Sequence, residues 1–200
     1  MFKFDYSEDY VLEDDVVRLS PLKKSHIEPL LQISSEQSIW TYFFEKGDTY
    51  EALKAYIESA IKNRELNVEY PFVVYDKVTK RYAGTTRMYQ YLLKTIKIGH
   101  TWYGEDFRGT GVNKRCKYLL FDFAFGKLGV RRIGFGVYED NIISIKALQS
   151  LGCKKEGRLR DMFPSLDGKG RSDCILMSIL KDEWDSYARD ELLTKILVAR

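Results

Sequence analysis

The sequence predicts an α/β protein built on one mixed, mostly antiparallel twisted sheet of about seven strands, with helices on both faces. Segments in which apolar residues recur every three or four positions alternate with segments rich in β-branched and aromatic residues, the patterns of helices and strands. One strand, helix, strand succession in the second half implies a right-handed crossover between parallel neighbours. We therefore expect a central parallel pair whose strands splay apart and leave a ligand cleft.

The composition is that of a single ordered domain. The chain has 200 residues, of which 44% are hydrophobic, 14% aromatic and 30% charged, enough to bury one core without disulfides or metal. We expect one domain over residues 1–200, with a C-terminal helical extension at about 181–200. The net charge of +3 reflects 32 basic and 29 acidic residues, a balance that argues against nucleic-acid binding and fits a small anionic ligand.

Three cysteines, Cys116, Cys153 and Cys174, are widely spaced among apolar residues. This pattern favours buried, reduced thiols over a disulfide framework or a metal site. Residues 1–11 lack the apolar core of a signal peptide, and no later stretch approaches ~18 uninterrupted apolar residues. We expect a cytoplasmic protein, a monomer or homodimer, with no membrane partner and no metal.

The first half of the chain begins with a short β-rich run at residues 16–19, followed by a helix over about 26–33. A second helix is predicted over residues 50–66, because apolar residues recur at helical spacing and Asp48 or Thr49 is available as the N-cap. Three β-rich segments joined by short turns then predict sequential antiparallel strands, over residues 70–75, 82–91 and 94–103.

The second half alternates helices with strands. Gly129 and Gly152 end two helical patterns, as glycine commonly does at a helix C-terminus. The predicted elements are a helix over 112–128, a strand over 131–138, a helix over 142–151, paired strands over 156–163 and 172–180, and a C-terminal helix over about 181–198.

A glycine-containing loop lies between the third antiparallel strand and the helix that follows it. Gly109 and Gly111 let a ligand approach the backbone, and the helix N-terminus offers free N–H groups and the positive end of the helix dipole. Arg108 adds a positive charge, while Lys114 and Arg115 lie one turn further, in reach of another phosphate. The loop therefore predicts a phosphate site.

Two common phosphate-binding motifs do not fit this loop. A dinucleotide fingerprint needs a third glycine where Lys114 stands, and a nucleotide P-loop needs Gly-Lys-Ser/Thr, which is absent. The pattern Arg-x-x-Gly-x-Gly/Ala after a strand resembles instead the pyrophosphate loop of the GNAT superfamily of acyl-CoA N-acyltransferases. Asn113 occupies the last position, where the family has Gly or Ala; its backbone N–H stays available, but its side chain needs a place.

A second stretch strengthens this resemblance. The residues Asn-Ile-Ile-Ser-Ile-Lys-Ala-Leu from position 141, Leu-Gly-Cys-Lys-Lys-Glu-Gly from 151, Arg160-Asp161 and Asp167-Gly168 are similar to the GNAT branch that includes ribosomal-protein N-terminal acetyltransferases. The similarity spans about residues 98 to 184. It implies an acetyl-CoA-dependent N-acetyltransferase that acts by direct attack of a primary amine in a ternary complex.

The resemblance also implies roles in cofactor binding. Backbone groups near Trp102 and Tyr103 would pair with the amides of the pantetheine arm like an added strand. Asn141 would hydrogen-bond the pantetheine or cap its own helix, and the plain N-cap remains an open alternative. Ser144 would lie near the sulfur. The pyrophosphate would be held by Arg108, Gly109, Thr110, Gly111, Val112 and Asn113.

The general base is the least constrained assignment. His100 lies on the strand leading to the loop and has an ordinary pKa near ~6.5, suited to accepting a proton directly or through water. By strand alternation it shares a face with Trp102, so a packed core histidine is the alternative. Glu105 is a second candidate, against a solvated loop carboxylate.

The general acid has two candidates. The resemblance favours Ser144, and Tyr138 at the end of the preceding strand is the physical alternative. A backbone N–H near Tyr103 is the expected oxyanion donor.

An aromatic run in the first half is the candidate acceptor site. It would line a pocket, with an adjacent carboxylate attracting an amine; the alternative is an aromatic cluster that seals a helix against the sheet. Asp161 and Asp173 would add acidity. The acceptor is a protein N-terminus or a small amine such as an amino acid, a polyamine or an aminoglycoside. The residues of the run are Trp40, Tyr42, Phe43 and Phe44, followed by Glu45.

Two other functions remain open from the sequence. A CoA-binding sensor or scaffold without catalysis would use the same cleft. A ribosome- or nucleic-acid-associated module is suggested by the basic residues Lys154, Lys155, Arg158 and Arg160, although the balanced overall charge argues against it.

Overall fold

Residues 4–198 are described by the computed structural model. Within them the strands are β1 (Leu12–Glu13), β2 (Val17–Pro21), β3 (Glu69–Asp76), β4 (Arg81–Leu92), β5 (Thr95–Tyr103), β6 (Arg132–Tyr138), β7 (Lys154–Pro164) and β8 (Arg171–Leu180). The α-helices are α1 (Ile27–Ser34), α2 (Tyr50–Glu65), α3 (Val112–Asp122), α4 (Ile142–Ser150), α5 (Lys181–Glu183) and α6 (Arg189–Val198). Short 3-10 turns span Lys24–His26, Gln37–Tyr42 and Glu105–Phe107, and π-turns Phe123–Lys127 and Trp184–Ala188 continue α3 and α5.

All these strands form one sheet in the order β1-β2-β3-β4-β5-β6-β8-β7, antiparallel except for the pair β5 and β6. The prediction of a mixed, mostly antiparallel sheet with a central parallel pair is thus confirmed. The strand count is eight in the described residues rather than about seven. The extra strand is β1, whose two residues pair with β2 and are too few to show a periodic pattern.

The parallel pair is short. β5 and β6 are paired only from Thr95 opposite Arg132 to Lys97 opposite Gly134. Beyond that point β5 continues to Tyr103 beside β4, and β6 continues to Tyr138 beside β8. The two strands therefore separate, and the backbone groups of β5 that face β6 have no strand partner there.

A β-bulge interrupts the pairing of β5 with β4. Trp102 lies opposite Thr85 and Gly99 opposite Arg87, so β5 carries one extra residue between them. His100, in the bulge, has a φ of 48°. The ring of His100 packs on Tyr89 of β4, on the face of the sheet where Trp102 packs on Trp40, so the two side chains share a face despite the bulge. Trp102 is buried and His100 is exposed, so His100 is not a packed core residue.

Helices cover both faces of the sheet. β3 is buried at nearly every position, so side chains of both alternating sets are shielded from water. α1 and α2 pack against β3 and β4, and α3 packs against β1 and β2. α2 begins where the sequence predicts, with Thr49 Oγ1 accepting a hydrogen bond from the Ala52 N–H at 3.3 Å.

The C-terminal segment packs into the core. Trp184 is only 2% exposed, and its ring contacts Phe121 and Phe125. Leu192 and Ile196 of α6 are also buried. Residues 181–198 therefore contribute to the main core. Residues 1–3 and 199–200 of the predicted domain lie outside the described residues.

Candidate active site

The glycine loop ends at the start of α3 in a conformation suited to an anion. Gly109 and Gly111 have φ values of 76° and 90°, a region that favours glycine. A Cβ at either position would meet no atom within 4 Å, so space is free above both. Gly111 is the N-cap of α3 and supplies no side-chain hydrogen bond. The N–H groups of the first turn therefore remain available to a ligand.

Arg108 holds the loop against neighbouring chain segments. Its Nε donates a hydrogen bond to the Tyr103 carbonyl at 3.1 Å and its Nη1 donates to Ser38 Oγ at 3.2 Å. Its Nη2 lies 3.6 Å from Glu36 Oε2. The Glu36 carboxylate also accepts the Glu105 N–H at 2.9 Å. The guanidinium thus ties the end of β5 to the turn Gln37–Tyr42.

Other polar residues near the loop serve the fold. Thr110 Oγ1 donates to the Phe107 carbonyl at 2.8 Å. Arg115 is buried and pairs with Asp14 at 2.6 Å and Asp15 at 3.0 Å. The prediction that Arg115 reaches a second phosphate is therefore wrong, because its charge is neutralised inside the protein; those partners lie about a hundred positions away in sequence and leave no local signal.

The β5 wall of the cleft is rigidly supported. Trp102 and Tyr103 are both buried, and the Trp102 ring packs on Trp40 with centroids 5.4 Å apart. Opposite them on β4, a Cβ added at Gly84 would lie 1.9 Å from the Trp102 carbonyl oxygen. Glycine at this position lets β4 and β5 approach closely.

The opposite wall is formed where β6 leads into α4. Asn141 is the N-cap of α4, and its Oδ1 accepts a hydrogen bond from the Ser144 N–H at 3.1 Å. The capping role that the sequence left open is thus present in the structure. Ser144 is half-buried in the first turn of α4.

His100 packs against neighbouring protein groups but remains open to water. Its ring packs edge-on against Tyr89, with centroids 5.5 Å apart. Burial among these groups, with the charge of Arg87, lowers the pKa of His100 to about 4. The imidazole is therefore neutral at physiological pH.

A buried ion pair lies near His100. Arg87 Nη1 contacts Glu69 Oε1 at 2.7 Å, with both side chains less than 10% exposed. Asn63 Nδ2 donates to the same carboxylate oxygen at 3.0 Å, and the guanidinium stacks over Tyr56 at 4.3 Å. Sequence reasoning missed this pair. Arg87 lies within the predicted strand 82–91, but Glu69 lies just outside the predicted strand 70–75 and joins β3 only in the structure.

The aromatic run predicted to bind the acceptor divides into two parts. Trp40 is buried, and its Nε1 donates to the Ser34 carbonyl at 2.7 Å, so it seals α1 against the sheet. Phe43 packs on Trp40. Tyr42 and Phe44 instead face β6: Tyr42 donates to the Asp140 carbonyl at 3.3 Å.

Tyr42 and Phe44 join a cluster at the end of β6. Their rings contact Tyr138 at centroid distances of 5.5 and 6.3 Å, and Tyr138 packs on Phe163 at 4.5 Å. The Tyr138 hydroxyl donates to the Pro164 carbonyl at 2.9 Å, and burial raises the pKa of Tyr138. Phe44 is 63% exposed.

A cleft of about 620 Å³ lies beside this cluster. It brings together Trp40, Phe44 and Tyr138 from the predicted set, while Glu45 is exposed next to it. Its lining residues are Gln37, Ser38, Trp40, Thr41, Phe43, Phe44, Lys46, Asp48, Tyr138, Pro164, Ser165 and Leu166. Its walls combine aromatic and aliphatic side chains with an equal share of polar and charged ones, including Lys46 and Asp48.

Several charged residues of the late hairpin form ion pairs within it or with neighbouring segments. Arg158 contacts Glu139 at 2.6 Å and Asp173 at 2.7 Å. Asp173 Oδ1 also accepts the Asp161 N–H at 2.9 Å. Lys154 pairs with Glu183 at 2.6 Å. These ion pairs reduce the positive charge that is available to a polyanion. The Asp173 carboxylate is already engaged by Arg158 and the Asp161 N–H.

Cys116, Cys153 and Cys174 are free and buried. Across residues 4–198, no cluster of three or more His, Cys, Asp or Glu side chains is arranged for a metal ion. In the same part of the chain, every helix is too short or too polar to cross a membrane.

Known proteins share this sequence pattern and fold. Residues 17–154 match the family model for the acetyltransferase (GNAT) domain. The chain is 27% identical over 158 residues to the probable N-acetyltransferase YjcK of Bacillus subtilis strain 168, covering 75% of this chain and 87% of YjcK.

Solved structures agree with that match. A GCN5-related N-acetyltransferase from Brucella melitensis superposes with a TM-score of 0.87 at 24% identity, covering 98% of this chain and 89% of that one. Mycobacterium smegmatis RimJ, solved in complex with CoA-disulfide, superposes with a TM-score of 0.77 at 18% identity, covering 94% and 93% of the two chains.

Proposed function

Because the chain belongs to the GNAT acetyltransferase family, we propose that it transfers an acetyl group from acetyl-CoA to a primary amine within a ternary complex. The observation that carries the proposal is the combination of two features at one place: β5 and β6 separate beyond Lys97, and the open glycine loop at the start of α3 follows directly from β5. The first feature suits an extended arm and the second a pyrophosphate.

The residues around the cleft fit CoA. The N–H groups of the first turn of α3, before Arg115 whose N–H bonds the Gly111 carbonyl, and the open space over Gly109 and Gly111 suit phosphate oxygens. The side of β5 near Trp102 and Tyr103 has no strand partner beyond Lys97, which suits the amides of the pantetheine arm, as in strand addition. The Tyr103 carbonyl there already accepts a hydrogen bond from Arg108. Arg108 positions the loop through Tyr103, Ser38 and Glu36.

Acetyl-CoA supplies an activated acyl group as a thioester. The chain must then keep the attacking amine neutral, polarise the acyl carbonyl and stabilise the leaving sulfur. Neutral His100 accepts a proton from the amine, directly or through water. A backbone N–H of the separated part of β5 stabilises the oxyanion.

Ser144 is our candidate to hydrogen-bond the leaving sulfur. The alternative, Tyr138, already donates its hydroxyl proton to the Pro164 carbonyl, which favours Ser144. Tyr138 acts instead as part of the aromatic wall with Tyr42 and Phe44.

The acceptor is a primary amine, either a protein N-terminus or a small amine. We infer that it enters beside Tyr42 and Phe44, where aromatic faces attract a cation and Glu45 adds negative charge. The free, buried cysteines support a reducing compartment, the cytoplasm, as the location.

Thiol release from acetyl-CoA tests the proposal. The protein is incubated with acetyl-CoA and a panel of amines that includes N-terminal peptides, amino acids, polyamines and aminoglycosides. Release that depends on one amine class supports the proposal and names the acceptor. Equal binding of CoA and acetyl-CoA, with no amine-dependent release, would identify a CoA sensor or scaffold instead.

A further inference from the structure

Two polar residues of α3, Asn113 and Lys117, form a polar stripe along one side of the helix. Asn113 and Lys117 are four positions apart and therefore lie on the same face of the helix. Lys117 is only 4% exposed, whereas most lysines in folded proteins reach water. Neither side chain has been given a role by the function proposed above.

Lys117 is directed at the separated part of β5. Its Nζ donates a hydrogen bond to Thr101 Oγ1 at 2.9 Å, and Thr101 Oγ1 lies 2.7 Å from Thr86 Oγ1 on β4. Thr101 belongs to the stretch of β5 that has left β6 and follows the bulged His100 directly. The ammonium therefore lies beside the narrow end of the cleft.

Within residues 4–198, the Lys117 ammonium forms no ion pair with a carboxylate, and its hydrogen bond goes to the hydroxyl of Thr101. Among the described residues, the groups that act on its ammonium are the thiols of Cys116, on the same helix, and Cys153, at the junction of α4 and β7. Burial raises the pKa of both thiols to about 12, so both are neutral. Burial also lowers the pKa of Lys117 to about 8.

A buried cation without an anion is costly, because desolvation is not repaid by pairing. Such a group favours any anion brought into the cleft. Asn113 provides a second, independent sign of a missing ligand: its Oδ1 is buried without a hydrogen-bond partner among the described residues, and buried acceptors are nearly always paired.

We propose that this stripe binds the arm of CoA, with Asn113 Oδ1 accepting a pantetheine N–H and the Lys117 ammonium receiving the departing sulfur. The inference rests on the function proposed above. It also assigns a role to Asn113, which stands where the GNAT family pattern has Gly or Ala.

The acceptor nitrogen forms a bond to the acyl carbon while the carbon–sulfur bond breaks. The electron pair of the broken bond stays on sulfur. Lys117 Nζ gives one proton to that sulfur and becomes a neutral amine. The proton lost by the acceptor nitrogen passes through His100 or water to solvent, and solvent reprotonates Lys117.

Binding measurements test this without turnover. Wild-type protein and Lys117→Met are titrated by calorimetry with CoA and with desulfo-CoA, which lacks the thiol, between pH 7 and 9. A free thiol has a pKa near ~8.5, so the thiolate fraction rises over this range. Lys117 loses its own proton near pH 8, so for the wild type we expect the preference for CoA over desulfo-CoA to rise from pH 7 to about tenfold near pH 8 and to fall again towards pH 9.

Lys117→Met should abolish that preference while desulfo-CoA binds normally, and Lys117→Arg should retain it because the charge is kept. Lys62→Met, an exposed lysine change on α2, is the control and should behave as wild type. Asn113→Leu should weaken both ligands equally.

A preference that persists unchanged in Lys117→Met would overturn the inference while leaving the proposed function intact. If wild-type protein bound neither ligand, the proposed function itself would fail. Loss of desulfo-CoA binding in Lys117→Met would also count against the inference, since it would indicate that the lysine only supports the fold.

Discussion

Arg87 and Glu69 form a buried ion pair, 2.7 Å apart, on the adjacent strands β4 and β3. Arg87 also stacks over Tyr56 of α2, so the pair joins two strands and a helix beneath the bulge that carries His100. Since removal of one partner leaves an uncompensated buried charge, the pair is sensitive to single substitutions.

Arg87→Met should therefore lower the free energy of unfolding by about 3–5 kcal/mol. Arg81→Met on the same strand is the matched control, because the ion pair of Arg81 with Asp106 is exposed and should contribute below about 1 kcal/mol. Urea unfolding of both variants measures the difference. Equal, small losses would show that the buried pair contributes no more than the exposed one.

Gly84→Ala should disturb the β5 wall of the cleft. Its Cβ would lie 1.9 Å from the Trp102 carbonyl oxygen, and because this atom is backbone the strand itself must move. We expect a loss of about 1–3 kcal/mol in stability together with weaker acetyl-CoA binding. Gly157→Ala on β7, where a Cβ meets nothing within 4 Å, should change neither quantity. Wild-type stability and affinity in Gly84→Ala would contradict the close approach of β4 and β5.

His100→Gln should reduce the acetyl-transfer rate at neutral pH by roughly a hundredfold, the usual contribution of a general base, with acetyl-CoA affinity unchanged. The pKa of His100 is lowered to about 4, so the wild-type enzyme should keep its base unprotonated throughout pH 5–9. Acetyl-transfer rates of the wild type and of His100→Gln, measured from pH 5 to 9, test this prediction. A variant with the wild-type rate and profile would remove His100 from the mechanism.

The lowered pKa of His100 should also make the free energy of unfolding depend on pH. A folded-state pKa below the ordinary value means that the unfolded chain binds a proton more readily. Wild-type stability should therefore decrease, relative to His100→Gln, as the pH falls from about 6.5 towards 4. Unfolding curves of the two proteins that remain parallel over this interval would argue against the lowered pKa.

The lowered pKa of Lys117 predicts how the free energy of unfolding changes at alkaline pH. Its pKa is lowered from 10.5 to about 8, so the unfolded chain holds a proton between these values that the folded protein has lost. The stability cost of the buried charge is present in full below pH 8 and disappears as the pH rises towards 10.5. The free energy of unfolding of the wild type should thus rise relative to Lys117→Met between pH 7 and 10. A constant difference would mean that Lys117 is not held in an unfavourable charged state.

Local patterns made much of the fold predictable. Residues 50–66 have helical periodicity and a capping threonine, and the structure has α2 at Tyr50–Glu65 with Thr49 as its cap. The strand, helix, strand step gave the parallel pair through the handedness of crossovers. The glycine loop was recognisable because Gly109 and Gly111 adopt positive φ values that other residues avoid.

Other features of the structure depend on one extra residue in a strand or on contacts between distant parts of the sequence. The bulge at His100 is one extra residue relative to β4, and no local pattern in the sequence marks it. Arg115 is neutralised by Asp14, from the other end of the chain. The burial of Lys117 without an ion-pair partner is likewise a property of the assembled protein, and it could not be read from the α3 sequence.

Calorimetric titration with acetyl-CoA is the most direct test of the central claim, that CoA phosphates bind at the start of α3. Gly111→Trp places an indole where the phosphate should lie, and Gly168→Trp is the control, because Gly168 also has positive φ and open surroundings but lies in the β7–β8 turn. We predict that Gly111→Trp abolishes binding while Gly168→Trp binds as wild type and both remain folded. Wild-type affinity in folded Gly111→Trp would contradict the account.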